Sequence, residues 1–224
     1  MAEEPQEYPY NLVQPDGQVI HRSRGFTGKG RVTYDNKEVY DGDFVDGVRI
    51  GKGTYSYRNG DLYSGGFDEN KKHGLGKLTY TGKAAEADAD ESPEDIAKRR
   101  GMYRGDFADG KKHGEGSFRY ANGDIYSGSW SKGKKHGNGT YVFKADGSRM
   151  TGIWENGDFS SGQWSLNSGA TYQGTFKYNK PTGEGKWSLP NGSVIPGAYV
   201  QTIEPAEDEG APPLSVKSVW LAGN

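Results

Sequence analysis

The sequence predicts an all-β fold, an elongated single-layer antiparallel sheet of consecutive β-hairpin repeats. Three observations indicate it. A short aromatic and glycine motif recurs, and the interval from Tyr40 to Tyr63 equals that from Tyr103 to Tyr126. Within each motif the aromatic residues and glycines have the same parity, which places them on one face of a strand. The chain contains 36 glycines and 15 tyrosines among 224 residues, while hydrophobic residues make up only 32%. This composition favours rings on one sheet face over a doubly covered sheet.

Each unit reads as two strands joined by a turn. The first strand carries an aromatic-x-Gly-x-aromatic motif, as in residues 40–44, and the second carries Gly-x-Gly followed by aromatic residues, as in residues 51–57. A ring of a neighbouring residue could lie over each glycine, which has no side chain of its own. The units begin at Tyr40, Tyr63, Tyr103, Tyr126, Met150 and Tyr172.

Asn-Gly or Asp-Gly pairs separate the units. They favour two-residue hairpin turns, because both central residues of a type I′ turn need positive φ. The pairs are Asn59-Gly60, Asn122-Gly123, Asp146-Gly147 and Asn191-Gly192.

Composition narrows the functional classes. The formal net charge of −2 provides no basic field for nucleic acid, and the absence of cysteine excludes thiolate chemistry and cysteine metal sites. No signal peptide or apolar membrane span is visible, so we expect a cytosolic protein. Serines, histidines and carboxylates form no catalytic constellation. We therefore expect no enzyme activity, no cofactor and no small-molecule substrate.

The repeated pattern Tyr-x-Gly-x-Phe/Trp followed by Gly-x-x-His-Gly-x-Gly resembles the MORN repeat, over about residues 17–199. The later units are similar to those of the MORN-type radial spoke head proteins of motile cilia and flagella. The similarity lies in Gly147–Gly157, in Tyr172–Phe176 followed by Asn179–Lys186, and in Gly197–Tyr199. It implies a structural subunit of the axonemal radial spoke head. Its partners would be other spoke head subunits and, through the assembled head, central-pair projections. The alternative is a peripheral scaffold associated with membranes or phosphoinositides.

Three segments lie outside the regular repeats. Residues 1–16 are predicted to form an N-terminal arm. An acidic insertion at 83–102 carries a predicted helical turn within 92–100, and is either a tolerated surface insertion or a partner-specific contact. Residues 200–224 comprise an acidic, proline-containing linker and an apolar end. That end, with Leu214, Val216 and Trp220, either caps the last repeat or docks onto a partner.

The aromatic face is the principal candidate site, since a one-layer sheet cannot cover both its faces. We expect it to form a semi-exposed groove that binds a partner through aromatic anchors, the alternative being packing between repeats only. The groove residues would be Tyr63, Phe67, Tyr103, Phe107, Tyr126, Trp130, Trp154, Tyr172 and Phe176.

Paired lysines form a second candidate. In register they would form a basic stripe along one edge of the sheet. This stripe either attracts acidic groups of a partner or lipid, or consists of solvated turn charges that discourage edge-to-edge aggregation. They are Lys71, Lys72, Lys111, Lys112, Lys134 and Lys135. The repeated histidines, His73, His113 and His136, lie one hairpin apart, roughly 10 Å. That is too far for a shared zinc ion, so we expect no metal site.

Overall fold

A computed structural model describes residues 10–81, 100–205 and 213–223. Its regular structure in these ranges is entirely β-strand, and the strands pair antiparallel, which confirms the predicted fold class. The chain divides into two compact units, Met1–Ala121 and Asn122–Asn224. The helical turn predicted within 92–100 lies outside the described residues, as does most of the acidic insertion.

In the first unit, β1 pairs with β2 and β3. From β3 onward the strands pair in chain order, and the last pair is β8 with β9. Its strands are β1 (Tyr10–Val13), β2 (Val19–Ile20), β3 (Gly28–Tyr34), β4 (Val39–Val45), β5 (Val48–Ser56), β6 (Leu62–Asp68), β7 (Lys71–Tyr80), β8 (Gly101–Ala108) and β9 (Lys111–Tyr120).

In the second unit the strands also pair in chain order, from β10 with β11 to β16 with β17. Its strands are β10 (Ile125–Ser131), β11 (Lys134–Val142), β12 (Arg149–Glu155), β13 (Asp158–Ser165), β14 (Thr171–Lys177), β15 (Lys180–Ser188), β16 (Val194–Glu204) and β17 (Ser215–Ala222).

A row of glycines crosses the strands of each unit in direct register. In the first unit Gly42 lies opposite Gly30 on one side and Gly53 on the other, and the row continues through Gly65 and Gly76. The ring of Tyr40 covers two of these glycines. A Cβ added to Gly53 would lie 2.6 Å from the Tyr40 ring, closer than any side chain can sit. Glycine is therefore required because the neighbouring ring occupies the space of a side chain.

A β-bulge follows the glycine in most hairpins, and the tyrosine hydroxyl binds to it. In β6 the register shifts between Gly65 and Phe67, and Tyr63 donates a hydrogen bond of 2.8 Å to the carbonyl of Gly66. Tyr40, Tyr103 and Tyr126 make the equivalent bond to the residue three positions on. The bulge turns a carbonyl out of the strand ladder, and the hydroxyl satisfies it.

The turns differ from the prediction. At Asn59-Gly60 only Gly60 has positive φ, and Tyr57 donates to Asp61 across a three-residue loop. This is the loop in which a type I turn precedes a left-handed glycine. The Asn59 side chain accepts from the backbone N–H of Asp61 at 3.0 Å. The prediction of type I′ turns at these junctions is wrong.

Two-residue turns with positive φ at both central residues instead lie inside the units, at the opposite ends of the hairpins. There the flanking residues, such as Val45 and Val48, are directly paired. These turns are Asp46-Gly47, Glu69-Asn70, Asp109-Gly110, Lys132-Gly133, Asn156-Gly157 and Tyr178-Asn179.

Strands also form in the segments predicted to flank the array. Part of the N-terminal arm is β1, which pairs with β3 and buries Leu12 completely. At the other end β16 continues to Glu204, and its segment from Gly197 to Glu204 pairs with β17. The core of each unit therefore reaches beyond residues 17 and 199.

Candidate interaction surfaces

The nine rings predicted to form an exposed groove are all buried. They cover one another edge to face. Tyr63, for example, has its ring centroid 5.2 Å from that of Phe67 in its own strand and 5.0 Å from that of Phe107 in β8. The prediction of a semi-exposed groove is therefore wrong for these residues, because the rings cover one another within a strand and between adjacent repeats. Their role in partner binding stays a prediction, without an exposed surface to support it.

A second aromatic row lies beside the buried one and is half-exposed. It is formed at the end of the second strand of each hairpin, where Tyr55 and Tyr57 have ring centroids 4.7 Å apart and Tyr141 and Phe143 lie 4.8 Å apart. The members of this second aromatic row are Tyr55, Tyr57, Tyr80, Tyr120, Tyr141, Phe143, Trp164 and Trp187.

No member of this row was among the site residues predicted from the sequence. The signal that could have found them is the Tyr-x-Tyr spacing, which places two rings on the same face of a strand. Tyr and Trp combine an apolar ring with a polar group that can remain hydrated, and they are common binding anchors. The second aromatic row is therefore the aromatic surface that a partner can reach.

The second lysine of each predicted pair does not lie on a basic edge. Lys72, Lys112 and Lys135 are half-buried over aromatic rings, and Arg49 occupies the same place in the first hairpin. The closest approach is that of Lys135, whose Nζ is 3.9 Å from the ring centroid of Trp154. These contacts are cation–π interactions, which favour a cation held against a ring face.

Burial lowers the pKa of Lys135 to about 8, although the field of Asp158 acts in the opposite direction. The amine is therefore partly neutral in mildly alkaline solution. In the fifth unit, Phe159 stands where the first four hairpins carry a cation, opposite Trp154, and Phe159 is fully buried. In the sixth unit Pro181 takes that place, opposite Phe176.

The first lysine of each pair remains exposed. Lys71, Lys111 and Lys134 occupy the same position after the turn, and Lys71 forms an ion pair of 3.2 Å with Asp109. The predicted stripe of six lysines is thus wrong in part, because neighbouring residues of a strand point to opposite faces. Three lysines support the aromatic core and three face solvent.

The opposite face of the first unit holds a shallow depression of about 620 Å³ above the glycine row. Its floor is backbone, from Gly42, Gly53 and Gly65, and its rim includes Lys52 and His73. Leu75 also lines it and is 75% exposed.

The apolar C-terminal end packs on the last repeat. Val216 is buried, and the ring of Trp220 lies 5.0 Å from that of Tyr199 and 5.9 Å from that of Tyr172. Leu214 points to solvent and is 64% exposed. Of the two predicted roles, the geometry shows the capping one for Val216 and Trp220.

The repeated histidines are exposed. Within the described ranges, no group of three or more His, Asp and Glu side chains is arranged to hold a metal ion. Nor does that part of the chain contain a helix with the length and apolar character to cross a membrane.

Five segments match the family model of the MORN repeat, namely residues 40–62, 63–83, 103–125, 126–148 and 172–194. Together they cover just over half of the chain. The chain belongs to the MORN-repeat family. MORN repeats generally form non-enzymatic structural scaffolds for protein interaction, and no catalytic family is indicated. The gap between the last two matches contains the fifth unit, which folds as the hairpin β12–β13 even though it lacks the usual motif.

No curated protein matches the chain in sequence. Among solved structures, the TCP domain of Drosophila melanogaster SAS-4 (dCPAP), in complex with a proline-rich motif of Ana2 (dSTIL), is 16% identical to this MORN protein. The alignment covers 87% of this chain and 94% of that one, with a TM-score of 0.44. The TCP10 domain of Danio rerio CPAP, with a STIL peptide, is 12% identical over 92% and 97% of the two chains, with a TM-score of 0.37. Likeness at this level carries no functional conclusion.

Proposed function

We propose that this MORN protein is a structural subunit of the radial spoke head in the ciliary or flagellar axoneme. It contributes to the regulation of motility through protein–protein contacts with other spoke head subunits and, through the assembled head, with central-pair projections. Its location would be the axonemal cytoskeleton. The observation that carries the proposal is the resemblance of the later units to spoke head proteins, in Gly147–Gly157, Tyr172–Phe176 with Asn179–Lys186, and Gly197–Tyr199.

The structure supports a scaffold role through the half-exposed aromatic residues. A rigid sheet presents the second aromatic row at regular intervals, since each hairpin advances the sheet by roughly 10 Å. Rings held in place by backbone pairing lose little conformational entropy when a partner covers them. Spoke head subunits are thus proposed to contact this row.

The location can be tested with isolated axonemes. Antibody against the chain should detect it in the axonemal fraction, and after salt extraction it should cosediment with the spoke complex. Recovery of the chain only in the soluble or membrane fraction contradicts the proposed location.

The contact surface can be tested with one variant and one control. Phe143→Ser removes a half-exposed ring of the second aromatic row, and Leu75→Ser removes an exposed apolar side chain from the opposite face. Circular dichroism first confirms that both variants are folded. We expect Phe143→Ser to weaken assembly with spoke head subunits by about 2 kcal/mol, as loss of an anchor does, and Leu75→Ser to leave it unchanged. Equal assembly of both variants would exclude the second aromatic row as the contact.

A membrane-associated scaffold is a second candidate, favoured by the exposed positions of Lys71, Lys111 and Lys134. Basic residues near an anionic surface contribute about 1 kcal/mol each. Vesicles containing phosphatidylinositol bisphosphate should then pellet the wild-type chain but not a variant with glutamate at the three positions. Failure of the wild-type chain to pellet removes this candidate.

A further inference from the structure

One edge of the second unit ends on β17. On its inner side β17 pairs with β16 from Ser215 to Ala222 without a register shift. Along its outer side, no strand of the described part of the chain pairs with it. An unpaired strand edge is a template for another strand, unless charges, prolines or bulges disrupt it. β17 contains neither proline nor bulge, and its single charged residue is Lys217.

This edge is also apolar on the face opposite the aromatic core. Val219 is 58% exposed, Leu221 is 55% exposed and Val200, which pairs with Val219, is 52% exposed. Elsewhere in the unit the corresponding face carries polar pairs such as Thr140 with Thr151 and Gln163 with Gln173, and its exposed apolar residues, such as Ile153, stand singly. Exposed apolar side chains on an open strand edge form a surface that association would bury.

The strand is complementary to itself in an antiparallel arrangement. Residues that face each other across two strands lie on the same sheet face, so a twofold axis through Trp220 would pair Val219 with Leu221 of the second copy. The same axis would place the two Trp220 rings side by side on the core face. Lys217 would lie opposite Gly223, so that no two lysines meet. Apolar groups therefore match apolar groups on both faces.

We propose that two copies of this chain associate through their β17 strands, which pair antiparallel about a twofold axis at Trp220. The second copy satisfies the free backbone groups of the edge and covers Val219 and Leu221. This inference does not depend on the proposed place in the spoke head.

Sedimentation of the purified chain over a range of concentrations tests the association. The wild-type chain should show a monomer–dimer equilibrium. Val219→Lys places a charge opposite Leu221 of the other copy and should weaken the dimer about a hundredfold or more. Val194→Lys is the matched control, because Val194 is also 58% exposed but lies in β16 outside the segment that pairs with β17. It should dimerise like the wild type.

Cysteine variants test the register, since the natural chain contains no cysteine. A mixture of Val219→Cys and Leu221→Cys chains should form a disulfide-linked heterodimer under mild oxidation, because directly opposed Cβ atoms lie within bridging reach. A wild-type chain that stays monomeric, a dimer that persists in Val219→Lys, or equal cross-linking by a Val194→Cys control each overturns the proposal.

Discussion

At the scale of single residues, the glycine row shows how closely the sequence is constrained. Gly53 has an ordinary backbone conformation, so nothing in its φ requires glycine. What requires it is the Tyr40 ring, which lies 2.6 Å from the position of a Cβ. The absence of one side chain thus permits a large aromatic ring to lie flat against the backbone and be buried.

Gly53→Ala should therefore displace the Tyr40 ring and reduce the free energy of unfolding by about 1–3 kcal/mol, as overpacking does. It should also change the near-ultraviolet circular dichroism of tyrosine. Gly110→Ala is the control, because Gly110 has positive φ but no atom within 4 Å of an added Cβ. Its backbone strain should lower stability without changing the tyrosine signal. An unchanged tyrosine signal in Gly53→Ala would contradict the role assigned to the ring.

The buried amine of Lys135 should make stability depend on pH. Its pKa falls from an ordinary value near 10.5 to about 8 on folding, so the unfolded chain binds more protons between these values. The cost of burying the charge is present in full below pH 8 and is relieved as the pH rises toward 10. Relative to Lys135→Met, the wild type should gain stability over this interval in urea denaturation.

The exposed neighbour provides the control for that experiment. Lys134→Met removes a neighbouring lysine that faces solvent, and should change stability little. A stability difference between the wild type and Lys135→Met that is constant from pH 7 to 10 would mean that the amine is not desolvated.

At the scale of the hairpin, the bulge and the tyrosine hydroxyl are linked by a hydrogen bond. The bulged carbonyl has left the strand ladder and needs a donor, which the tyrosine three residues earlier supplies. The sixth hairpin departs from this arrangement. The hydroxyl of Tyr172 is buried, and no hydrogen-bond partner for it occurs among the described residues.

This difference predicts opposite effects of one substitution. Tyr63→Phe removes the donor from the half-buried Gly66 carbonyl and should cost about 1 kcal/mol of unfolding free energy, because that hydrogen bond is lost. Tyr172→Phe removes a buried hydroxyl that bonds to nothing, and should leave stability unchanged or increase it. Chemical denaturation of both variants measures this. If Tyr172→Phe lowered the free energy of unfolding as much as Tyr63→Phe, the hydrogen bond of the hydroxyl would not be the cause of the effect.

The hairpins also show where sequence inference succeeds and where it fails. Parity and spacing predicted the strands correctly, since Tyr40, Gly42 and Tyr55 lie where alternation places them. Turn type was not predictable from Asn-Gly alone, because this pair fits both the two-residue and the three-residue loop. The distinction depends on how many residues separate the two paired positions that flank the loop, and the Asn-Gly pair alone does not specify that number.

At the scale of the whole molecule, the sequence predicted a single layer but not how it covers its own core. The prediction treated each ring as a side chain with solvent above it. In both units the rings instead cover each other across repeats, and cations such as Arg49 and Lys135 lie over them. This burial results from contacts between residues about one repeat apart. Sequence spacing does not predict the orientations of their rings.

A core built from tyrosines should be sensitive to alkali in both units. Burial raises the pKa of several tyrosines above the ordinary value near 10, and the unfolded chain returns to that value. Those tyrosines are Tyr40, Tyr55, Tyr63 and Tyr103 in the first unit and Tyr172 in the second. Below pH 10 both states hold these protons. Above it the unfolded chain loses them first, so stability falls as the pH rises.

The chain should therefore unfold in alkali together with its buried tyrosines. Tyrosinate absorbance in the ultraviolet should rise in two phases, an early one from exposed rings and a later, cooperative one that coincides with the loss of far-ultraviolet circular dichroism. In guanidinium chloride the same titration should collapse to a single phase near pH 10, because every ring is then hydrated. A native chain whose tyrosines all ionise near pH 10 while its β-sheet signal persists would mean that the rings are solvated. The ring-over-glycine packing would then not be the core that excludes water from these units.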